Sequence, residues 1–296
     1  MNLNDFIVNI FCKIDDFMKK FIKPRELRAR GPLPQLADSE ILTMEIVGEI
    51  LGFDTDKKIF EFFKRFFREY FPRLSCSPEI SGFIRQAASP WAVKQILFKY
   101  FAGLFRDTIL VIDSFPLAVC RFARARRSKL FKGLANYGKE LGGQTFYGFR
   151  LHLKTNSIGM VQSFDLTSAN VHYIHIVKEL TAGDSGLLLG DRAYLSKPLM
   201  TELIETQALE LSVPTKYGEP AELGFGQLRF RKGIRRLIET VGSQLSGQFN
   251  IKKIWARDLW HLTNRVCRKI LAHTFSVLFC VRENLNPLSF SKLITV

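Results

Sequence analysis

The chain changes character at residues 108–115, TILVIDSF. Four apolar side chains, Ile109 to Ile112, run unbroken into Asp113, and three of the four are β-branched. A run this short and this apolar predicts a buried strand. Everything before it has helical spacing. Phe6, Ile10, Ile14, Phe17 and Phe21 mark one face of a helix over residues 1–22, which Pro24 ends. A basic, Pro-rich connector, KPRELRARGPLPQ, follows. Asp38 or Ser39 can cap a helix whose apolar face is Ile41, Met44, Val47 and Leu51. In KKIFEFFKRFFREYF, residues 57–71, a stripe of Phe60, Phe63, Phe67 and Phe71 reads as core packing. A helix from Trp91 to Phe105 completes an all-helical N-terminal domain over residues 1–106.

Beyond Thr108 the period is two. Residues 144–154, QTFYGFRLHLK, put Phe149, Leu151 and Leu153 on one face and Arg150, His152 and Lys154 on the other. A turn at Asn156–Gly159 leads to a third strand, MVQSFDLT, and the three strands predict an antiparallel meander. Asn170 can cap a helix, VHYIHIVKELTA. A fourth strand in GLLLGDRAY, a helix over Lys197–Gln207 and a fifth strand in LELSVPTK follow. A Gly-rich loop, Tyr217–Gly226, opens the helix LRFRKGIRRLIETVGSQL, and a last helix runs from Leu259 to Val281. This is the element order of a ribonuclease-H-like fold, mixed α+β to α/β. Its mixed five-stranded sheet, flanked by helices, would form a second domain over residues 107–296.

A chain of 296 residues suits about two domains. With 47% hydrophobic and 24% charged residues it is neither disordered nor fibrous. Lys and Arg number 43 against 28 Asp and Glu, a net charge of +15. Residues 1–107 carry +3 of that and residues 108–296 carry +12, so the second part would draw polyanions. Cys12, Cys76, Cys120, Cys267 and Cys280 are scattered, with no CxxC pair for zinc or redox chemistry. No basic leader and no apolar run of about 18 residues stand out, which predicts a cytoplasmic protein with no membrane partner.

Three acids are placed for chemistry. Asp113 ends the first strand and Asp191 ends the fourth, after Leu187–Gly190. Ligand sites in such sheets form beyond the carboxyl ends of strands, although either Asp alone would also suit a turn. Glu239 lies on the polar face of its helix with Lys232, Arg235 and Arg236, and an Arg235–Glu239 surface ion pair is the plainer reading. Three converging carboxylates repel one another unless cations join them, and all-oxygen ligands suit two Mg²⁺ (or Mn²⁺) ions. Such a pair builds a phosphodiester site, with Asp113 shared and Asp191 and Glu239 each favouring one ion. The segment RFARARRSKLFK carries Arg121, Arg124, Arg126, Arg127, Lys129 and Lys132 just after Asp113. It reads as a solvated loop or as backbone-phosphate contacts for DNA, as do Lys232, Arg235 and Arg236. His172 and His175 have no third ligand nearby for zinc, and Trp255 and Trp260 read as core.

VIDSFP (Asp113), SKLFKG, YGFRLHLKT, SAN, GDRAY (Asp191) and RRLIETVGSQL (Glu239), in this order, resemble the bacterial insertion-sequence transposases of the DDE type. The helical DSEILTMEIVGEILGF with its Phe-rich successor resembles their front end. The resemblance implies a metal-dependent nuclease that cuts double-stranded DNA at terminal inverted repeats and joins the freed 3′-hydroxyl to target DNA. It maps the catalytic triad onto Asp113, Asp191 and Glu239, separated by 78 and 48 residues. It also implies a prokaryotic, nucleoid-associated protein, end binding by the first domain, and a dimer on DNA. Arg235 fits the arginine of the family's Tyr-Arg-Glu-Lys signature, but Lys232 stands at its tyrosine and Ser246 at its lysine. The interval Lys216–Gln227 leaves no room for a large insertion domain. A structure-directed nuclease and a non-catalytic DNA-binding regulator are the competing readings.

Overall fold

A computed structural model describes residues 1–22, 34–75, 80–140, 142–214 and 225–294. Residues 23–33 of the basic connector, Cys76 and residues 217–224 of the Gly-rich loop lie outside them. Two compact units emerge. One comprises residues 1–101, 245–256 and 260–296, the other residues 102–244 and 257–259.

The helical unit is built from α1 (Leu3–Phe21), α2 (Asp38–Ile50), α3 (Asp56–Phe66), α4 (Ile80–Ala88), α5 (Trp91–Gly103, to residue 101) and α9 (Leu259–Arg282, from residue 260). The Asn2 side chain starts α1 by accepting the N–H of Asp5 at 2.8 Å, and Phe6, Ile10, Ile14 and Phe17 bury the expected face. Helix α2 begins at Asp38 with Ala37 at its cap, and Glu40 reaches back to the Ala37 N–H at 2.6 Å. Ser39 and residues 41–50 of α2 are all buried, as is most of α9. A helix covered all round belongs in a core. The Phe stripe is core as expected: Phe60, Phe63, Phe67 and Phe71 are all buried, although the helix itself stops at Phe66. The C-terminal segment, assigned by sequence to the second domain, clusters with this helical unit. Phe275 and Phe279 of α9 lie 4.8 Å from Phe101 and 5.2 Å from Phe6 between ring centres.

The other unit holds one mixed sheet of six strands: β1 (Ile109–Ala118), β2 (Asn136–Lys139), β3 (Thr145–Asn156), β4 (Val161–Ser168), β5 (Gly186–Leu189) and β6 (Leu209–Ser212). β3 pairs antiparallel with β1, β2 and β4, whereas β5 joins the other edge of β1 in parallel and β6 continues from it. This is the ribonuclease-H-like arrangement, with the short β2 added to the five expected strands. Helices α6 (Tyr173–Leu180) and α7 (Lys197–Gln207) cover one face, closing a core of Leu110, Ile112, Val177, Leu188, Leu203 and Leu211. His172, not Asn170, caps α6, its ring Nδ1 accepting the N–H of Ile174. Gly186, at φ 99°, fits the start of β5 because a Cβ there would meet the Thr108 carbonyl oxygen at 2.4 Å. Arg150, His152 and Lys154 of β3, on the face opposite Leu151, are buried too. Each has found a partner: Arg150 donates to the Lys139 carbonyl at 2.8 Å, His152 Nε2 meets Thr167 Oγ1 at 2.9 Å, and Lys154 pairs with Asp184.

Candidate active site

Register brings two of the three acids to one end of the sheet. Val111 pairs with Leu189 across the parallel β1–β5 ladder, and Asp113 and Asp191 each stand two residues further on. Asp113 continues in β1, opposite Leu153 of β3. Its Oδ1 accepts the N–H of Ser114 at 2.7 Å. At Asp191 the chain leaves β5, and its Oδ1 accepts the N–H of Ala193 at 2.8 Å to open a single 3₁₀ turn, Arg192–Tyr194. The DRAY segment is therefore a cap followed by a turn, and the same carboxylate that starts the turn is the candidate ligand.

Glu239 comes from α8 (Phe225–Gly247), whose Ile238, Val241 and Leu245 are buried. Arg231 ties this helix to β6 through Ser212 Oγ and through Glu210 at 3.5 Å. Glu239 lies eight residues along, about 12 Å at helical rise, and is exposed. Among the described residues it forms no ion pair with Arg235, so the surface pair expected from their spacing is not made. Arg235 instead acts on Asp113, favouring its charged form.

Asp113 is coupled electrostatically to both other acids. Its carboxyl is pushed up to about 6, first by burial, then by the negative charges of Asp191 and Glu239. They feel one another, yet among the described residues no three acid, His or Cys side chains close to metal-holding distance. Glu239 is exposed. The donor set suits a hard divalent cation. All ligands are carboxylate oxygens, and each Asp engages only Oδ1 in a hydrogen bond among the described residues. Asp113, Asp191 and Glu239 would hold it.

The basic segment after β1 forms a 3₁₀ stretch, Phe122–Arg127, and the turns that follow it. Arg121, Arg124, Arg126, Arg127, Lys129 and Lys132 are all exposed, and none pairs with an acid among the described residues. Lys232 and Arg236 are exposed on α8 and Arg235 is half-buried. His172 and His175 lie 6.4 Å apart between ring centres with no third ligand among the described residues. Trp255 and Trp260 are 72% and 41% exposed, against the core role expected of them. Trp255 sits in coil before α9, where its carbonyl accepts from Arg265. Two polar groups near the acids escaped the sequence reading, Ser114 and Tyr194. Tyr194 stands in the GDRAY segment, but nothing local distinguishes a buried tyrosine from an exposed one.

The family described as "Transposase DDE domain" matches residues 105–258, more than half of the chain. The chain belongs to this family. Asp113, Asp191 and Glu239 all fall inside the DDE domain match, as does the whole sheet. Among solved structures, the cryo-EM structure of the piggyBac transposase synaptic complex with hairpin DNA is similar over 98% of this chain and 76% of that one. Its identity is 11% and its TM-score 0.43. No curated protein matches the chain.

Proposed function

We propose that this DDE-domain protein cuts DNA at the inverted repeats of an insertion sequence and joins the freed 3′-hydroxyl to target DNA. The observation that carries the reading is the register that leaves Asp113 and Asp191 each two residues beyond the Val111–Leu189 pair of neighbouring parallel strands; the Asp113 carboxyl, raised first by burial, is raised further by the charges of Asp191 and of Glu239 on α8. A carboxyl raised by neighbouring acids, with the half-buried Arg235 and the Ser114 N–H opposing them, suits a site that takes up cations. Two Mg²⁺ or Mn²⁺ ions, when bound, would acidify the attacking water or 3′-hydroxyl and stabilise the leaving oxygen. The protein's own groups do the rest. Backbone N–H donors of Ser114 and Ala193 orient the two Asp carboxylates. The unpaired cations of residues 121–132 hold phosphates and set the register of the duplex without reading bases. The helical unit is assigned to recognition of the repeat ends, and two copies act together on the paired ends.

The test uses linear DNA carrying the repeats that flank this reading frame, with Mg²⁺ or Mn²⁺. Wild type should nick at the repeat ends and yield joined products. Asp113→Asn should bind the DNA and cut nothing. Cutting by that variant sinks the catalytic assignment, and cutting without end preference or joining favours the structure-directed nuclease.

A further inference from the structure

Tyr194 is a polar group that the site as described leaves unused. It is 1% exposed, and among the described residues its buried hydroxyl has no hydrogen-bond partner. A hydroxyl stripped of water without compensation is costly, so buried polar atoms are seldom left this way. Local geometry holds it there. The turn begun by Asp191 folds the chain back, and Gly190 leaves room for the ring. A Cβ at that position would lie 3.2 Å from Cδ2 of Tyr194 and 3.3 Å from Cγ2 of Ile112. Tyr173 of α6 closes the other side, edge-on with ring centres 5.6 Å apart. The ring is thus fixed within electrostatic reach of both Asp113 and Asp191. Burial, then Asp113, then Asp191 keep the phenol protonated, and Ser114, though close enough to oppose them, meets no hydrogen-bond geometry.

We propose that Tyr194 is a positioning residue of the candidate active site, its hydroxyl a donor held in reserve for an oxygen of Asp113 or Asp191 when both are ionised around a divalent cation. The proposal rests on the metal-dependent reading above. A hydrogen bond to an ionised carboxylate is shorter and about twice as strong as one between neutral groups. The hydroxyl therefore gains most in the cation-bound state, where it would also fix the rotamer of its acceptor. A donor without a partner among the described residues becomes an affinity gain once the cation is bound.

Tyr194→Phe removes the oxygen and keeps the ring packing. Without metal, the full-length variant should melt at or slightly above the wild-type temperature, because an unpartnered oxygen has been removed. Calorimetric titration with Mn²⁺ alone should show binding weakened about 10- to 150-fold, the worth of one charged hydrogen bond. A tyrosine that only packs, or that only holds a buried water, would leave the affinity unchanged, and that result overturns the proposal. A fall of several degrees in the metal-free melting temperature overturns it as well, since the hydroxyl would then have a structural partner. Asp113→Asn is titrated in parallel. Equal Mn²⁺ binding by wild type and Asp113→Asn would remove the metal site itself, and Tyr194 with it. Loss of affinity in Asp113→Asn but not in Tyr194→Phe would remove the tyrosine role alone.

Discussion

Replacing Lys94 by Met should unfold the helical unit at much lower temperature. Lys94 is fully buried, and its Nζ lies 2.7 Å from a Glu45 carboxylate oxygen. It also donates to the Ala87 carbonyl at 2.7 Å and to Asn264 Oδ1 at 3.0 Å. Around it Arg268 meets Glu49 at 2.6 Å, Glu45 at 3.0 Å and Asp56, and Lys269 meets Glu49 at 2.6 Å. Three buried cations thus face three acids, and the half-buried Arg265 adds a fourth cation at Asp56, 2.8 Å away. Burial lowers the Lys94 pKa and Glu45 opposes that, so the ammonium persists only because its partner does. Met fills similar volume without charge. It leaves Glu45 short of a cation and two acceptors empty, a loss of about 3–5 kcal/mol for a broken buried pair. For a unit of about 150 residues this lowers the melting temperature by roughly 6–20 °C. Differential scanning calorimetry of the full chain at neutral pH reads it. Lys94→Met with Glu45→Gln removes the acid left short of its cation and should recover at least half of the loss. A single variant within about 1 kcal/mol of wild type, or a double variant no better than the single, refutes the coupling.

Three further outcomes are expected. Asp113 titrates higher folded than its ordinary 3.9, so folding favours its protonated form; the metal-free protein should lose stability as pH rises from about 4 through 6. Asp113→Asn removes this, and at pH 7 it should be more stable than wild type by on the order of 2 kcal/mol, after allowance for partial exposure; a less stable variant would make Asp113 structural. His152 is pushed down to about 4 by burial and then Arg150, so its contribution is present above about 6.5 and lost as pH falls toward 4, at about 1.4 kcal/mol per pH unit. Comparing denaturant titrations of wild type and His152→Gln across that window isolates the effect, which is absent if the two curves run parallel. Changing Arg124, Arg126 and Arg127 together to Ala should reduce the slope of log affinity against log salt on duplex DNA by about 0.9 for each phosphate no longer neutralised; an unchanged slope would place the DNA elsewhere.

Local sequence carries those elements whose periodicity survives inspection of a short window. The β1 run, the helix over Lys197–Gln207, and the turn at Asn156–Gly159 are legible because each is defined by its own residues. Cap identity is less legible: His172 serves where Asn170 is expected, since any side chain with an acceptor at the right φ and ψ can do it. The brief strand β2 has no alternation to betray it, and it exists because β3 offers an edge. The short α4 is hidden beside the longer Phe-rich helix.

The acids Asp113, Asp191 and Glu239 can be picked out by eye, because carboxylates after apolar strand runs and a glutamate in a basic helix face are visible in one dimension. Composition likewise announces the positive charge of residues 108–296. Burial cannot be read that way. Arg150, His152 and Lys154 look like a solvated strand face, and Glu45 and Glu49 like the wet side of a helix, until other elements cover them. Arg268 and Lys269 neutralise acids more than 200 residues away, and Tyr194 loses its water only when α6 and the end of β1 close over it. Desolvation is set by what packs against a group, and that is a property of chain segments distant in sequence, which no local pattern encodes.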